Sequence, residues 1–439
     1  MRKIIPIKTI KGNFIVPSDK SISHRVIILA ALSNGRSLIR NFLFSNDCIS
    51  TIECFRKLGV TIECRRKDKV GKDNDRENAG EIIIHGRGLK GLCKPPEILD
   101  AGNSGTTMRL ISGILASTNF LSIITGDDSL RFRPMGRIIK PLKMMGAEIY
   151  GRNENKYPPL TIIGKKLKGI EYCLPIPSAQ LKSCILLAGL SSEGTTIIEE
   201  PVVSRDHTER MLKALGASIK HEGRRIILEE KSKLAPFETW VPGDISSASY
   251  LIASALLLPE SKISIRNVGL NPTRMGFVNV LKKMGANIRV TKKDTTLLNE
   301  PYGEIEVQFG PLNGIKIGAD EIPTLIDEIP LLAIIGAKAK GRTIISGAGE
   351  LRVKETDRIS AVVENIRCMG IEIEEREDGF IIDGEQDFKG AMLESRKDHR
   401  IAMTFAVAAL SAKGETKIKG ASIAGISYPG FWELPLFQD

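Results

Sequence analysis

Long apolar runs alternate along this chain with short stretches in which hydrophobic and polar residues take turns, and the alternation recurs six times. Each apolar run opens on a small polar or acidic residue of the kind that caps a helix, and is long enough to be one. The copies read DKSISHRVIILAALSNGRSLIRN from Asp19, NSGTTMRLISGILASTNFLSIIT from Asn103 and SAQLKSCILLAGLSSEGTTIIEE from Ser178. The other three are DISSASYLIASALLLPESKISIRN from Asp244, TLIDEIPLLAIIGAKAKGRTIISG from Thr324 and DHRIAMTFAVAALSAKGETKIKG from Asp398. Their starts lie 66 to 84 residues apart. Gly35, Gly194, Gly341 and Gly414 follow four of these helices, where a left-handed C-cap favours glycine. Each of the first five copies is followed by an amphipathic helix closed by a glycine and a strand: FRKLGVTIEC, LKMMGAEIYG, LKALGASIKH, LKKMGANIRV and IRCMGIEIEE. The sixth would fall at 427–439. The unit is helix, strand, helix, strand, and the spacing predicts six of them.

The first helix of each unit is apolar almost all round, as in VIILAAL, SCILLAGL and SYLIASALLL. A helix without a polar face has to be covered on every side. The strands alternate, as in RSLIRN and KISIRN, so one of their faces can meet water. Helices inside and sheets outside make an inside-out α/β arrangement, with three units in each of two similar lobes. An ordinary doubly wound sheet would show the reverse, apolar strands flanked by amphipathic helices. Gly86, Gly88 and Gly91 fit G-x-G-x-x-G after the strand-like EIIIH, but Cys93-Lys-Pro-Pro96 follows and no helix opens there. A dinucleotide site needs that helix terminus, so these glycines are read as a turn. The charged stretch Arg65–Glu81 is read as a solvated loop.

Composition narrows the function. At 439 residues, two domains are the default. A net charge of +11 points to anionic partners. Aromatic residues make up only 5% and no Lys/Arg run is interleaved with them, so base stacking and nucleic acid are disfavoured against small anions. Seven scattered cysteines with no C-x-x-C pair indicate free thiols in a reducing compartment, with neither a disulfide frame nor a metal site. The longest apolar stretches, such as Tyr250–Pro259, are about half of the ~20 residues that a membrane span requires, and residues 1–20 lack a signal-peptide core. A cytoplasmic protein is expected.

Unusual polar residues gather where the helices open. Lys20, Ser21 and Arg25 open the first, Asn103 to Arg109 the second, and Ser178, Ala179 and Gln180 the third. Asp244, Asp327 and Asp398-His399-Arg400 belong to the other three, while Arg133, Ser204 and Lys354-Glu355-Thr356-Asp357-Arg358 precede second helices. Singly, each is explained as a cap or a surface charge. Repeated in one register, with parallel helices aiming free N–H groups at one cleft, they describe an anion site.

These residues resemble the 5-enolpyruvylshikimate-3-phosphate synthase branch of the enolpyruvyl transferases. The resemblance lies in PSDKSISHR at 17–25, AGNSGTTMR at 101–109, Arg133-Pro134, PSAQ at 177–180, GDISSAS at 243–249, LIDEIP at 325–330, RVKETDR at 352–358 and DHR at 398–400. It implies a fold of two lobes with three βαβαββ units each, the first formed by residues 1–19 with 243–439 and the second by 20–242. It also implies a reaction: the 5-hydroxyl of shikimate 3-phosphate adds to C2 of phosphoenolpyruvate as C3 is protonated, and phosphate then leaves, with no cofactor or metal. By resemblance Lys20, Asn103, Gly105, Arg133, Gln180, Arg358 and Arg400 hold phosphoenolpyruvate. Lys20, Ser21, Arg25, Ser178, Ala179, Gln180, Ser204, Asp327 and Lys354 hold shikimate 3-phosphate. Asp327 matches the carboxylate near the attacking hydroxyl, Glu355 the proposed proton donor to C3, and Lys20 joins them as catalytic; His399 is read as orienting its neighbours.

One position departs from the pattern. Ile426 stands before Ser427-Tyr428-Pro429 where the family often carries a lysine, which removes one cationic contact to the donor. The related UDP-N-acetylglucosamine enolpyruvyl transferases are the alternative; they usually have a cysteine in the loop read here as Leu130-Arg-Phe-Arg-Pro134, and lack PSDKSISHR. A non-catalytic anion-binding protein would have no need of Asp327, Glu355 and Lys20 together. A monomer is expected.

Overall fold

The computed structural model describes residues 1–66, 79–230 and 232–438. The cap residues do what their chemistry suggests. Asp19, Ser104, Ser178, Asp244 and Asp398 accept from N–H groups in the first turns of α1 (Lys20–Leu32), α3 (Gly105–Ala116), α6 (Ala179–Gly189), α8 (Ile245–Leu257) and α12 (His399–Leu410). The fifth copy begins later than Thr324. A single 3₁₀ turn, Ile322–Thr324, precedes α10 (Ile329–Lys338), whose first turn contains Pro330, a residue with no N–H to lose there.

The second helices are α2 (Asn46–Lys57), α4 (Gly136–Met144), α7 (His207–Ala214), α9 (Gly276–Lys283) and α11 (Arg358–Cys368); α5 (Arg152–Asn155) is one distorted turn. The C-caps of these five amphipathic helices are the residues before Gly59, Gly146, Gly216, Gly285 and Gly370, which have φ between +81° and +101°. Only glycine takes that conformation without strain. The glycines expected to cap the first helices do not do so. Those helices have their C-caps at Ser33, Leu190, Ala339 and Ser411, while Gly194, Gly341 and Gly414 lie further on, in turns into strands, and Gly35 lies inside a strand.

Each of the first five sheets has two strands beyond the two that the periodicity shows, a return strand and a short parallel one. In the second unit, Tyr157–Ile163 returns antiparallel between Leu121–Thr125 and Glu148–Gly151, and Leu99–Asp100 joins in parallel as the fourth strand. Five four-stranded sheets follow this plan, and Arg2–Ile4, Thr416–Lys419 and Met392–Glu394 form a three-stranded sixth. The alternating burial of Tyr157–Ile163 shows one face covered and the other toward water. All thirteen residues of α8 are buried. The arrangement is the inside-out α/β fold.

Two apolar cores result. One is drawn from residues 22–241 and takes in Leu298; the other joins residues 4–16 to 245–437. The chain passes between them twice, and the strand before each crossing pairs within its own half. Lys11–Ile15 pairs with Lys262–Gly269, and Glu238–Trp240 pairs with Asn34–Leu43. There Asp19 N–H donates to Pro242 O and Asp244 N–H to Pro17 O, both at 2.8 Å. Arg274 spans the two capping aspartates, 3.2 Å from Asp19 and 3.1 Å from Asp244. The glycines at 86, 88 and 91 form a strand end and a turn. The stretch read as a loop from Arg65 begins and ends in strands, Thr61–Arg66 and Ala79–Arg87; residues 67–78 lie outside the described residues. Among the described residues no helix is long and apolar enough to cross a membrane.

Candidate active site

The polar helix ends meet at the seam between the cores. Asp327, just before α10, accepts from Arg205 at 2.6 Å and from Arg358 at 3.3 Å, and lies 3.3 Å from Arg400. Glu355 lies 2.6 Å from Arg358 and 3.4 Å from Arg133. Arg358 is only 2% exposed, and its Nε donates to Asp398 Oδ2 at 2.8 Å, so α11 and α12 are tied through their first residues. Arg205, Arg133 and Arg137 come from the core of residues 22–241, whereas Asp327, Glu355 and Glu350 come from the other side. These three ion pairs cross the seam.

The electrostatics follow from this crowding. Burial pushes the Asp327 carboxyl upward, but Arg400, Arg205, Lys354 and Arg358 together hold it well below the usual carboxylate range. Glu355 is treated the same way by Arg358 and Arg133. Both are ionised at neutral pH. Burial lowers the Lys354 ammonium, with Asp327 opposing. Burial also pulls Lys20 down, yet Asp47, 3.0 Å from its Nζ, more than reverses this and raises it. His399 is held well below its ordinary value by burial, Lys20 and Arg400, so it is neutral here. That fits an orienting role.

A second group lies alongside. Arg133 donates to Asn103 Oδ1 at 2.9 Å, and Asn103 donates to Asp127 at 2.7 Å. Arg109 donates to Gln180 Oε1 at 2.6 Å, and Gln180 Nε2 donates to Thr106 at 3.0 Å. Gly105 lies under both arginines: a Cβ there would stand 2.8 Å from Arg109 Nη1 and 3.4 Å from Arg133 Nη1. Ser178 caps α6, which Ala179 begins. Arg25 donates to Thr208 at 2.7 Å, Ser183 at 3.0 Å and the Ser21 carbonyl at 3.0 Å. Ser204 directs its N–H and its hydroxyl to Glu200.

Lys20, Arg133, Asp327, Lys354, Glu355, Arg358 and Arg400 are thus brought into one charged cluster. Asn103, Gly105 and Gln180 flank it; Ser178 and Ala179 open α6 next to Gln180, Arg25 is bonded to the Ser21 carbonyl, and Ser204 precedes Arg205. Sequence reasoning missed Arg205 and Asp47. Neither opens a first helix, and only their proximity in space to Asp327 and Lys20 gives them away. Among the described residues no group of His, Cys, Asp and Glu side chains is arranged to hold a metal ion.

Two lobes of inside-out α/β units closing on a seam of guanidiniums and ionised carboxylates are the build of an enolpyruvyl transferase. The chain belongs to the EPSP synthase family, for the family model described as EPSP synthase (3-phosphoshikimate 1-carboxyvinyltransferase) matches residues 4–434. It is 47% identical over 436 residues to the 3-phosphoshikimate 1-carboxyvinyltransferase of Syntrophomonas wolfei, covering 99% of both chains. It is 47% identical over 433 residues to that of Bacillus cereus, covering 98% of both. The solved structure of EPSP synthase from Acinetobacter baumannii superposes with a TM-score of 0.85 at 43% identity, covering 98% of this chain and 96% of that one.

Proposed function

We propose that this chain transfers the enolpyruvyl group of phosphoenolpyruvate to the 5-hydroxyl of shikimate 3-phosphate. The observation that carries this is the pair Asp327 and Glu355, both bonded to the buried Arg358 at a seam built from both lobes. A pure anion binder gains nothing from two carboxylates among its cations, but an addition–elimination that moves protons needs them. In the addition, the acceptor oxygen bonds to C2 of the donor as C3 gains a proton, and the hydroxyl proton passes to a base. In the elimination, the C2–O bond to phosphate breaks, phosphate leaves and C3 gives up a proton.

Asp327 is the carboxylate beside the attacking hydroxyl and Glu355 the one that serves C3, with Lys20 as their cationic partner. Held low by guanidiniums, Glu355 is too acidic to carry a proton until the donor's own anionic groups occupy Arg133, Arg358 and Arg400. Binding raises it by removing that stabilisation. Asn103, Gly105 and Gln180 complete the donor side. Ser21, Arg25, Ser178, Ala179, Ser204 and Lys354 form the acceptor side. Arginine forks suit carboxylate and phosphate.

The same reading divides the chain into lobes of residues 1–19 with 243–439 and of 20–242. It makes the protein a cytoplasmic enzyme of aromatic amino-acid biosynthesis and a glyphosate target. Every residue assigned lies in one chain, so a monomer suffices. The test is phosphate release from phosphoenolpyruvate with shikimate 3-phosphate, with UDP-N-acetylglucosamine, and with neither. Release only with shikimate 3-phosphate is expected. Release with the nucleotide sugar would assign the other transferase, and none with either would leave a binding protein.

A further inference from the structure

A lysine and two glutamates are sealed away from solvent behind the acceptor side, and the reaction uses none of them. Lys182, in the first turn of α6, is 0% exposed, in a helix otherwise packed by Leu181, Cys184, Ile185 and Leu186. Its Nζ lies 2.8 Å from Glu200 Oε2, 2.7 Å from Glu209 Oε1 and 3.4 Å from the Ser204 carbonyl. The contacts to Glu200 and to the Ser204 carbonyl are hydrogen bonds, and the one to Glu209 is an ion pair. Burial works against the charge, but Glu209 and Glu200 raise the ammonium above its ordinary value. Such a cluster is seldom the most stable filling of a core, since apolar side chains of similar volume do as well or better. Its geometry suggests what it does instead.

Glu200 is the link. One of its oxygens takes Lys182, and the other takes both the N–H and the hydroxyl of Ser204. Lys182 therefore fastens the loop bearing Ser204 to the helix whose opening residues are Ser178, Ala179 and Gln180. Glu209 extends the tie to α7, where the neighbouring Thr208 holds Arg25. We infer that Lys182 is a positioning residue for the phosphate of the acceptor: it acts through Glu200 to set Ser204 at a fixed distance from the start of α6. This rests on the proposed acceptor site. For Ser204 to donate its hydroxyl to a phosphate, that hydroxyl has to turn away from Glu200. Lys182 and the Ser204 N–H keep Glu200 satisfied while it does so, and the carboxylate then has no need to compete with the ligand.

The test compares Lys182→Met, Ser204→Ala and the double variant with the wild-type protein, reading the binding constant for shikimate 3-phosphate, both Michaelis constants and the melting temperature. Wild-type turnover is established first, so failure of the proposed function would be seen before any variant is made. Lys182→Met is expected to weaken shikimate 3-phosphate binding by about tenfold, comparable to one hydrogen bond to a charged group, with the constant for phosphoenolpyruvate unchanged within twofold. In the Ser204→Ala background it should add less than twofold, because the lysine acts through that serine. Lys182→Arg should recover part of the affinity. If Lys182→Met does not fold, the charge-matched pair Lys182→Met with Glu200→Gln should show the same selective loss. Multiplicative effects of Lys182→Met and Ser204→Ala, equal losses for both substrates, a lower melting temperature with both constants intact, or a silent Ser204→Ala would each overturn the inference.

Discussion

Replacing Gly105 with alanine would put a methyl carbon 2.8 Å from Arg109 Nη1 and 3.4 Å from Arg133 Nη1. Comfortable contact begins at about 3.5 Å, so Arg109 has to retreat by roughly half an ångström or more. It has little room, being buried and bonded to Gln180 at 2.6 Å and to the Pro134 carbonyl at 3.1 Å. The displacement therefore passes to Gln180 and Arg133 on the donor side, and losing one hydrogen bond from them to the charged donor costs about 1.5–3 kcal/mol, or about 10- to 150-fold in affinity. The backbone gives no reason for a glycine. Gly105 is absent from the positive-φ positions, begins α3 and keeps its Ser104 cap. Alanine gains up to about 1 kcal/mol of helix propensity over glycine. Gly105→Ala should therefore raise the Michaelis constant for phosphoenolpyruvate at least tenfold while the melting temperature holds or rises. Steady-state kinetics with each substrate varied, and a thermal melt, measure both. An unchanged donor constant with a lower melting temperature would refute the argument and make Gly105 a turn residue only.

Asp327→Asn should lower turnover by about 10²–10⁴-fold, the usual contribution of a general acid or base, with a smaller change in either Michaelis constant; rapid-quench or steady-state assay decides it. The pH dependence of stability follows from the depressed carboxyls of Asp327 and Glu355, whose ordinary values are 3.8 and 4.5. Groups held low in the folded state stabilise it fully above their unfolded values and lose that contribution as pH falls through their folded values. The melting temperature should thus be level with respect to these groups above about pH 5 and fall below it, less steeply in Glu355→Gln, as melts from pH 3 to 7 would show.

Much of this was legible in the residues because helix chemistry is local. Capping side chains at 19, 178, 244 and 398 sit one or a few bonds from the N–H groups they serve, and an all-apolar helix declares its burial by composition. The return strands were not. Tyr157–Ile163 is a hairpin return whose pairing is set by partners in space, and its Pro158-Pro159 reads as a turn. Within the site, motif residues at helix openings were visible, whereas Arg205 and Asp47 take their meaning from side chains over a hundred positions away or on another helix. Lys182 was in plain view inside SAQLKSCILLAGL, yet a lone lysine in an apolar run reads as a side chain reaching for water. Only Glu200 and Glu209 show that it stays inside.

The discontinuity of one half also sets an order of events during synthesis. Lys11–Ile15 finds its parallel neighbour only in Lys262–Gly269, and Arg2–Ile4 pairs with Thr416–Lys419. Residues 2–15 are therefore synthesised well before the partners they pair with. By contrast, Asn34–Leu43 gains its outer strand, Glu238–Trp240, as soon as that segment emerges. The middle of the chain can consequently settle while both ends of the enclosing half are still unpaired, and a nascent chain arrested beyond residue 242 should already protect α1, α3 and α6 from proteolysis while its leading segment stays cleavable.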